Sequence, residues 1–167
     1  LRIAHLPQGA PTSPALANLC AFTLDLRLAA LAQSCGARYS RYADDLVISG
    51  GKGLAARRLQ LEALVGAAAR EEGFALQHRK THCATRAGAQ RVCGIVVNDK
   101  PNLPRAEFDR LKAVLHRCVV EGPRAQNRNG VADWRGHLIG RVSWAFQVNP
   151  QKAARLSALL SRVDWTR

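Results

Sequence analysis

The sequence lacks several features that would assign it to a membrane or to an export pathway. Its 167 residues include no methionine. No apolar run approaches the roughly 18 residues that a membrane-spanning helix needs, and the start of the chain does not resemble a signal peptide. We therefore expect no membrane partner. The absence of methionine and the start at Leu1 lead us to expect a fragment of a longer protein.

Acidic residues are scarce: 12 Asp and Glu stand against 25 Lys and Arg, which gives a net charge of +13. A charge of this size indicates what a protein binds, not how it folds. Nucleic acid is the leading partner, because each phosphate that a cation neutralises releases counterions. A membrane surface is a weaker candidate, since no basic amphipathic helix stands out. A solvated basic surface is the remaining alternative.

The five cysteines are odd in number and form no Cys-x-x-Cys pair. This usage predicts buried thiols in a reducing compartment, which we expect to be the cytoplasm. His78, His82 and Cys83 lie close together, but no fourth ligand stands at a usual spacing, which argues against zinc.

The order of the predicted elements indicates an α+β fold. A helix is predicted from Ser13, as N-cap, to about Ser34, with a wide apolar surface packed on more than one side. Further predicted elements are a short strand near the start of the chain, a hairpin around residues 42–45, a helix over 54–72, strands over 74–78 and 91–97, and helices over 106–120, after Asp133 and after Asn149-Pro150. An antiparallel sheet with two helices thus occupies residues 1–103, and residues 104–167 are all-helical. Basic residues outnumber acidic ones 13 to 7 in the first part and 12 to 5 in the second.

The segment Tyr42-Ala43-Asp44-Asp45 lies between two short apolar stretches, residues 37–41 and 46–49. This pattern predicts a β-hairpin with two carboxylates at its tip. Adjacent negative charges in a tight turn favour a bound cation, and carboxylate oxygens are the ligands that Mg²⁺ prefers. On a basic chain, the turn predicts metal-assisted phosphoryl transfer on nucleic acid. An Asx-rich surface turn is the plain alternative.

Five blocks of sequence occur in an order and spacing typical of one enzyme family. They are Leu6-Pro7-Gln8-Gly9-Ala10-Pro11-Thr12-Ser13-Pro14 with Ala17-Asn18-Leu19, Tyr42-Ala43-Asp44-Asp45, Gly73-Phe74 leading to Lys80-Thr81, Gly94-Ile95-Val96-Val97-Asn98, and His137-Leu138-Ile139-Gly140-Arg141-Val142-Ser143-Trp144 with Asn149-Pro150. Together they resemble the bacterial reverse transcriptases of the retron and group II intron kind. The resemblance implies the C-terminal part of a polymerase palm over residues 1–103 and a helical thumb over residues 104–167. The fingers and a third metal-binding aspartate of such enzymes would lie upstream of Leu1.

The resemblance implies an RNA-directed DNA polymerase, which extends a DNA primer on an RNA template with deoxynucleoside triphosphates. The cofactor would be Mg²⁺ or, in its place, Mn²⁺. Asp44 and Asp45 would be catalytic metal ligands, with Asp44 shared by two ions, and Lys80 would be a catalytic cation near the leaving pyrophosphate. Without the upstream part, we expect metal binding to be weak and the chain alone to be inactive.

The same resemblance assigns binding residues by position. The incoming nucleotide and template would contact Gln8, Gly9, Pro11, Thr12, Tyr42 and Ala43. The primer would contact Gly94, Ile95, Val96 and Asn98. The nucleic-acid backbone would contact Arg105, Arg110, Lys112, Arg117, Arg135 and Arg141 in the thumb. Ordinary strand packing and solvated surface charge are the structural alternatives, and we assign Trp134 and Trp144 to the core.

Two other functions stay open at this point. The chain could be a nucleic-acid-binding module without catalysis. It could also be the palm of an RNA-dependent RNA polymerase, which shares the hairpin but commonly has glycine before the carboxylate pair. The sequence does not separate retron, intron, diversity-generating and CRISPR-associated enzymes. We expect a bacterial cytoplasmic protein, and apolar surface left uncovered by the missing part favours a dimer.

Overall fold

A computed structural model describes residues 5–166, and the chain divides between Thr85 and Arg86 into two compact units. The short strand predicted near the start of the chain lies largely outside the described residues. Within residues 5–166, no single helix is long and apolar enough to cross a membrane.

The first unit contains a hairpin and four α-helices. Its elements are α1 (Ser13–Cys20), α2 (Phe22–Ser34), β1 (Arg38–Tyr42), β2 (Asp45–Ser49), α3 (Lys52–Ala56), α4 (Arg58–Glu71) and a 3-10 turn (His78–Lys80). Its core joins Leu24 and Leu28 of α2 to Val65 and Ala69 of α4, and Ile48 of the hairpin packs against them. The hairpin is therefore supported by the buried faces of two helices.

The single helix predicted from Ser13 to Ser34 is wrong, because the chain breaks at Ala21 into two helices bent by 53°. The bend ends the continuous apolar stripe, and only the face of α2 that carries Leu24, Leu28 and Ala32 is buried. Four other large apolar side chains of α1 and α2 are exposed: Leu16, Leu19, Phe22 and Leu26. The packing expected on more than one side is therefore not seen among the described residues, and the dimer stays a prediction.

Three further local predictions in this unit are wrong. The single helix predicted over residues 54–72 is broken at Arg57 into α3 and α4. Ser13 is not the N-cap: it lies inside α1, and its hydroxyl donates to the Pro7 carbonyl at 2.7 Å. The strand predicted over residues 74–78 is absent, because Phe74 takes part in ending α4. Gly73, with φ of +80°, and Phe74 donate to the carbonyls of Arg70 and Ala69, which is the pattern of a Schellman cap.

The second unit is mainly helical. Its elements are β3 (Arg91–Val92), β4 (Ile95–Val96), α5 (Arg105–Glu121), α6 (Pro123–Gln126), α7 (Trp134–Val148) and α8 (Pro150–Leu160). Its fully buried side chains include Leu111, Leu115, Leu138 and Leu156, which come from α5, α7 and α8. The three long helices predicted for this region are confirmed.

The strand predicted over residues 91–97 is instead a hairpin of two very short strands. Cys93 and Gly94 have φ of +47° and +81°, so they form a type I′ turn and reverse the chain. The core assignment of Trp144 is also wrong, since this side chain is 47% exposed. Ala145 takes the buried position of that helical turn.

The prediction of buried thiols is wrong for most of the cysteines. Cys118 is buried, Cys35 is half-buried, and Cys20, Cys83 and Cys93 are exposed. The count and spacing of cysteines indicate a redox environment, but they contain no information on how exposed each thiol is in the folded chain.

Candidate metal site and nucleic-acid surface

The predicted hairpin is confirmed, and its tip carries two carboxylates. Tyr42 pairs with Asp45, so β1 and β2 are joined by a two-residue loop of Ala43 and Asp44. Asp44 and Asp45 are both exposed. Neither carboxylate forms an ion pair or a hydrogen bond with another residue in the described range 5–166. Their oxygens are therefore available to an external ligand.

The loop of this hairpin holds a residue other than glycine in the left-handed region. Ala43 has φ of +52°, and Asp44 does not share a positive angle. One positive angle at the first loop position matches a type II′ turn, in which glycine is usual. Left-handed backbone costs an L-residue about 1–2 kcal/mol. Strain of this kind clusters at functional sites, and it adjoins Asp44 here.

Arg41, the last but one residue of β1, connects the turn to both preceding helices. Its Nε and Nη2 atoms donate to the two carboxylate oxygens of Asp25 in α2, each at 2.7 Å. Its Nη1 atom donates to the Ala43 carbonyl at 2.8 Å and to the Asn18 side-chain oxygen in α1 at 3.1 Å. The Tyr39 hydroxyl also donates to Asp25, at 2.8 Å. One guanidinium thus joins the backbone of the turn to α1 and α2.

These contacts shift the titration of the three charged or hydroxyl groups involved. Hydrogen bonds from Arg41 hold the pKa of Asp25 below its ordinary value, although partial burial acts in the opposite direction. The hydrogen bonds to Asp25 raise the pKa of Arg41. Burial, followed by the hydrogen bond to Asp25, raises the pKa of Tyr39. At neutral pH all three groups are therefore in the state that forms these bonds.

The turn has the donor chemistry of a magnesium site but not a full set of ligands. Asp44 and Asp45 supply exposed carboxylate oxygens, and bound Mg²⁺ usually keeps several waters. No group of three or more His, Cys, Asp or Glu side chains suited to a metal ion occurs in the part of the chain that the structure describes. The donors fit the ion, and other ligands have to come from substrate, water or residues outside this part.

The loop predicted to line the nucleotide site is closed on itself. The Ala10 amide donates to the Pro7 carbonyl at 3.4 Å, and Gly9 has φ of +87°, which fits the third position of a type II turn. Of the six residues predicted to contact the nucleotide or template, four lie in this segment, and all four are exposed: Gln8, Gly9, Pro11 and Thr12. Within residues 5–166 none of them forms a hydrogen bond with the Tyr42–Asp45 turn, so their role stays a prediction.

Tyr42 and Lys80 are both on the surface of the first unit. The Tyr42 side chain is 72% exposed, so it does not contribute to the core of this unit. Lys80 is exposed and ends the 3-10 turn His78–Lys80. Among the described residues it forms no ion pair with Asp44 or Asp45. Its role beside the leaving pyrophosphate stays a prediction.

The residues predicted to contact the primer have structural roles in the second hairpin. Gly94 supplies the positive φ of the turn, and Ile95 and Val96 are half-buried in β4. The Asn98 side chain accepts from the Gln90 amide at 2.9 Å and donates to the Gly88 carbonyl at 2.8 Å. Packing and loop closure explain these residues without a ligand, and primer contact stays a prediction.

Three of the six basic residues predicted to contact phosphates interact with other side chains. Arg141 pairs with Glu107 at 3.7 Å, and its side chain is 32% exposed. The Arg135 guanidinium lies over the Trp165 ring, 5.7 Å from its centroid. Arg105 forms an exposed pair with Asp109 at 3.6 Å. Arg141 and Arg135 are therefore less available to a phosphate than the sequence suggested.

The other three basic residues are exposed on α5 and form no ion pair within the described part of the chain. Arg110 and Arg117 are seven residues apart and share one flank of the helix. Lys112 and Arg105, also seven apart, share the opposite flank, because successive residues are rotated by about 100°. The buried stripe of Leu111 and Leu115 separates the two flanks. The predicted basic surface is thus divided into two strips.

A groove of about 610 Å³ lies in the second unit beside the strip of Arg105. Arg91, Arg105 and Lys152 line it together with one carboxylate, Asp109. The cations come from β3, α5 and α8, so the fold brings together charges that are distant in the sequence. The sequence alone singled out only Arg105 of this group.

Three curated relatives match the chain over most of its length. Retron Mx65 reverse transcriptase of Myxococcus xanthus is 43% identical over 90% of this chain and 33% of the relative. Retron Mx162 reverse transcriptase of the same organism is 34% identical over 96% of this chain and 35% of the relative. Retron Ec86 reverse transcriptase of Escherichia coli is 30% identical over 95% of this chain and 47% of the relative. No family model matches the chain.

These matches define the class of protein: the chain is homologous to part of the reverse transcriptases, as its five sequence blocks predicted. Within that class, the three relatives are retron enzymes, so the chain is related to the retron reverse transcriptases. It spans about a third to a half of the length of these relatives.

The residues that sequence reasoning missed are the partners of the turn: Asn18, Asp25 and Arg41. One signal was present, since Asp25 and Arg27 are the only charged residues between residues 13 and 34. A charge in an apolar helix usually has a partner, because burial without one is costly. The identity of that partner, 16 residues away in β1, required the folded structure.

Proposed function

We propose that the full-length protein containing this chain is an RNA-directed DNA polymerase, which extends a DNA primer on an RNA template with deoxynucleoside triphosphates. In this proposal residues 1–103 are the C-terminal part of the palm and residues 104–167 are the thumb. The relatives are named reverse transcriptases, which supports the activity. The isolated chain is inactive in this proposal, because its described residues offer two carboxylates and no third ligand.

One observation carries the proposal. Asp44, in the two-residue loop, and Asp45, the first residue of β2, are adjacent and exposed, and neither is paired with a cation in the described part of a chain that has 25 Lys and Arg. Like charges in such a turn repel each other unless a cation joins them. A merely structural turn on a basic protein gains from an ion pair with a neighbouring Lys or Arg. The unpaired state instead suits carboxylates that receive an external divalent ion.

In the proposed role, Asp44 and Asp45 hold Mg²⁺, or Mn²⁺ in its place. When bound, the metal lowers the pKa of the primer hydroxyl and neutralises the triphosphate and the leaving pyrophosphate. The chain itself supplies the two oxygen donors and holds them on a supported hairpin. Lys80 adds a cation for the pyrophosphate, and Tyr42 presents its exposed ring to the primer end.

The second unit has the role of holding the template and primer by their phosphates. Its 15 basic side chains outnumber its 6 acidic ones. The strip of Arg110 and Arg117 and the groove lined by Arg91, Arg105 and Lys152 are the surfaces best suited to this task. Such contacts position a duplex without reading its sequence, which suits a polymerase that must move along its template.

The proposal is tested by Asp44→Asn and Asp45→Asn in the full-length protein. We expect Asp44→Asn to reduce primer extension on an RNA template by at least about 100-fold, in the range seen when a group acting on transition-state charge is removed. Asp99→Asn is the matched control, because Asp99 is an exposed aspartate in another turn, with a side chain that is 88% exposed. Unchanged extension by Asp44→Asn would rule out the catalytic assignment.

A nucleic-acid-binding module without catalysis is the second candidate. The incomplete set of metal ligands and the exposed cations of α5 favour it. It predicts that wild type and Asp44→Asn bind an RNA–DNA hybrid equally and that neither extends a primer. If the wild-type protein makes a DNA product that ribonuclease does not digest, both this module and an RNA polymerase are excluded.

A further inference from the structure

We propose that Arg41 is a positioning residue for the two carboxylates of the turn, and that Asp25 keeps its guanidinium from occupying them. The inference rests on the proposed function, because it concerns how this chain presents Asp44 and Asp45 to a divalent ion. It is carried by the hydrogen bonds between Arg41, Asp25, Asn18 and the Ala43 carbonyl.

Arg41 fixes the orientation of the peptide that precedes Asp44. The Ala43 carbonyl accepts from Arg41 at 2.8 Å. Because a peptide group is planar, fixing this carbonyl also fixes the direction of the Asp44 amide. The loop needs such a restraint, since Ala43 has φ of +52° and would relax if it were free. Arg41 therefore sets the backbone from which the Asp44 side chain projects.

The Arg41 guanidinium is itself firmly held. The Arg41 side chain is 11% exposed, and its donors engage acceptors in α1, α2 and the turn. The bidentate pair with Asp25 fixes the plane of the guanidinium as well as its position. Asp25 is oriented in turn by the Tyr39 hydroxyl. A rigid donor at the turn is thus built from the buried side of the hairpin.

Arg41 is also a potential competitor of a divalent ion for the carboxylates of Asp44 and Asp45. A guanidinium that reaches the Ala43 carbonyl lies next to the turn Tyr42–Asp45, which carries two unpaired acids. Arg pairs readily with carboxylates, yet Arg41 pairs with Asp25 and not with Asp44 or Asp45. The charge of Asp25 therefore keeps Arg41 on the inner side of the hairpin. Without that charge, Arg41 is free to turn toward Asp44 and compete with a divalent ion.

The decisive variant is Asp25→Asn in the full-length protein. We expect the Mg²⁺ concentration for half-maximal primer extension to rise roughly fivefold, as for competition by one partly exposed ion pair. A titration with Mn²⁺, followed by the paramagnetic resonance of the free ion, should show the same weakening without any need for activity. The double variant Asp25→Asn/Arg41→Gln should recover part of this loss, because the competing cation is gone.

A second variant, Arg41→Gln, separates positioning from competition. It removes the pair with Asp25 and the competing charge together, so hydrogen exchange at the amides of Ala43 and Asp44 should become faster while metal affinity falls less than in Asp25→Asn. Arg27→Lys is the matched control, because Arg27 of the same helix α2 pairs with Glu71 and Glu72 and does not touch the turn. It should leave both readouts unchanged.

A purely structural role for this network predicts a different pattern. Asp25→Asn, Arg41→Gln and the double variant would then lower the free energy of unfolding, while the folded protein kept the wild-type affinity for Mn²⁺. That result, or equal metal affinity in Asp25→Asn and the double variant, would overturn the inference. Loss of extension in Asp44→Asn tests the proposed function separately, so the two failures remain distinguishable.

Discussion

The side-chain amide of Asn149 donates to the side-chain oxygen of Asn102 at 2.9 Å, across 47 residues of sequence. The Asn149 oxygen at the same time accepts from the Lys152 amide at 3.0 Å and caps α8. One side chain thus starts a helix and ties it to the segment that follows β4.

Replacement of Asn149 by alanine should lower the free energy of unfolding by about 2 kcal/mol, about half from the lost cap and half from the lost hydrogen bonds. Asn149→Asp keeps the cap but has no donor for Asn102, so it should lower the free energy of unfolding by only about 1 kcal/mol. Urea denaturation of the full-length protein measures both. Asp133→Ala removes only a cap, that of α7, and is the matched control. Equal losses for the two Asn149 variants would contradict a contribution from capping.

In the strained loop of the first hairpin, a substitution should raise the free energy of unfolding. Ala43→Gly should stabilise the protein by about 0.5–1 kcal/mol, because relief of left-handed strain exceeds the added entropy of the unfolded chain. Thermal denaturation measures the effect. Cys93→Gly, at φ of +47°, should behave in the same way. Ala43→Val should destabilise, and a neutral result for both glycine variants would show that the loops carry no strain.

The thiols should differ sharply in reactivity. Cys118 is buried, and burial raises the pKa of its thiol, so it is both inaccessible and protonated. Its alkylation by iodoacetamide should be slower than that of Cys20, Cys83 and Cys93 by at least about 100-fold, because it requires local opening. Mass spectrometry of peptides from the labelled protein measures each rate. In denaturant the rates should become equal, and fast labelling of Cys118 in the native protein would contradict its burial.

The pair of Asp25 and Arg41 should make stability depend on acid. The pKa of Asp25 is lowered in the folded protein. Its contribution to the free energy of unfolding is therefore fully present above the ordinary aspartate pKa of about 3.9, and it is lost as the pH falls through the lower folded value. Asp25→Asn should therefore be about 1 kcal/mol less stable than wild type at pH 7. Urea midpoints at pH 7 and at a series of pH values below about 3.9 test this, and a difference that stays constant down this series would contradict it.

Salt dependence should separate the two kinds of arginine in the second unit. Arg110→Gln and Arg117→Gln should each reduce the slope of log affinity against log salt for an RNA–DNA hybrid by about 0.9. Arg141→Gln should change it less, because Arg141 already pairs with Glu107. Fluorescence anisotropy of the full-length protein measures the slopes. Equal effects of Arg117→Gln and Arg141→Gln would contradict the division of this surface.

The sequence predicts well those elements whose signal is local and periodic. The stripe Phe108, Leu111 and Leu115 and the caps Asp133 and Asn149 mark three helices, and all three helices are present. The hairpin at Tyr42–Asp45 is also local, because apolar stretches bound a short acidic turn.

The remaining features depend on contacts that no short window contains. The break at Ala21 has no glycine or proline to mark it, and a cysteine at φ of +47° is an uncommon way to start a turn. The exposure of Trp144 depends on which residues α7 meets in space. Arg41 and Asp25 lie in different elements, so only folding reveals that one restrains the other.

The two apolar cores have no residue in common, and the backbone passes from one unit to the other once, between Thr85 and Arg86. A chimaera joined at this point, with the segment from residue 86 onward taken from a relative, would leave each of these two apolar cores made of side chains from one parent. The acidic hairpin and the basic helices can therefore diverge at different rates, and recombination can exchange one without replacing a residue in the core cluster of the other.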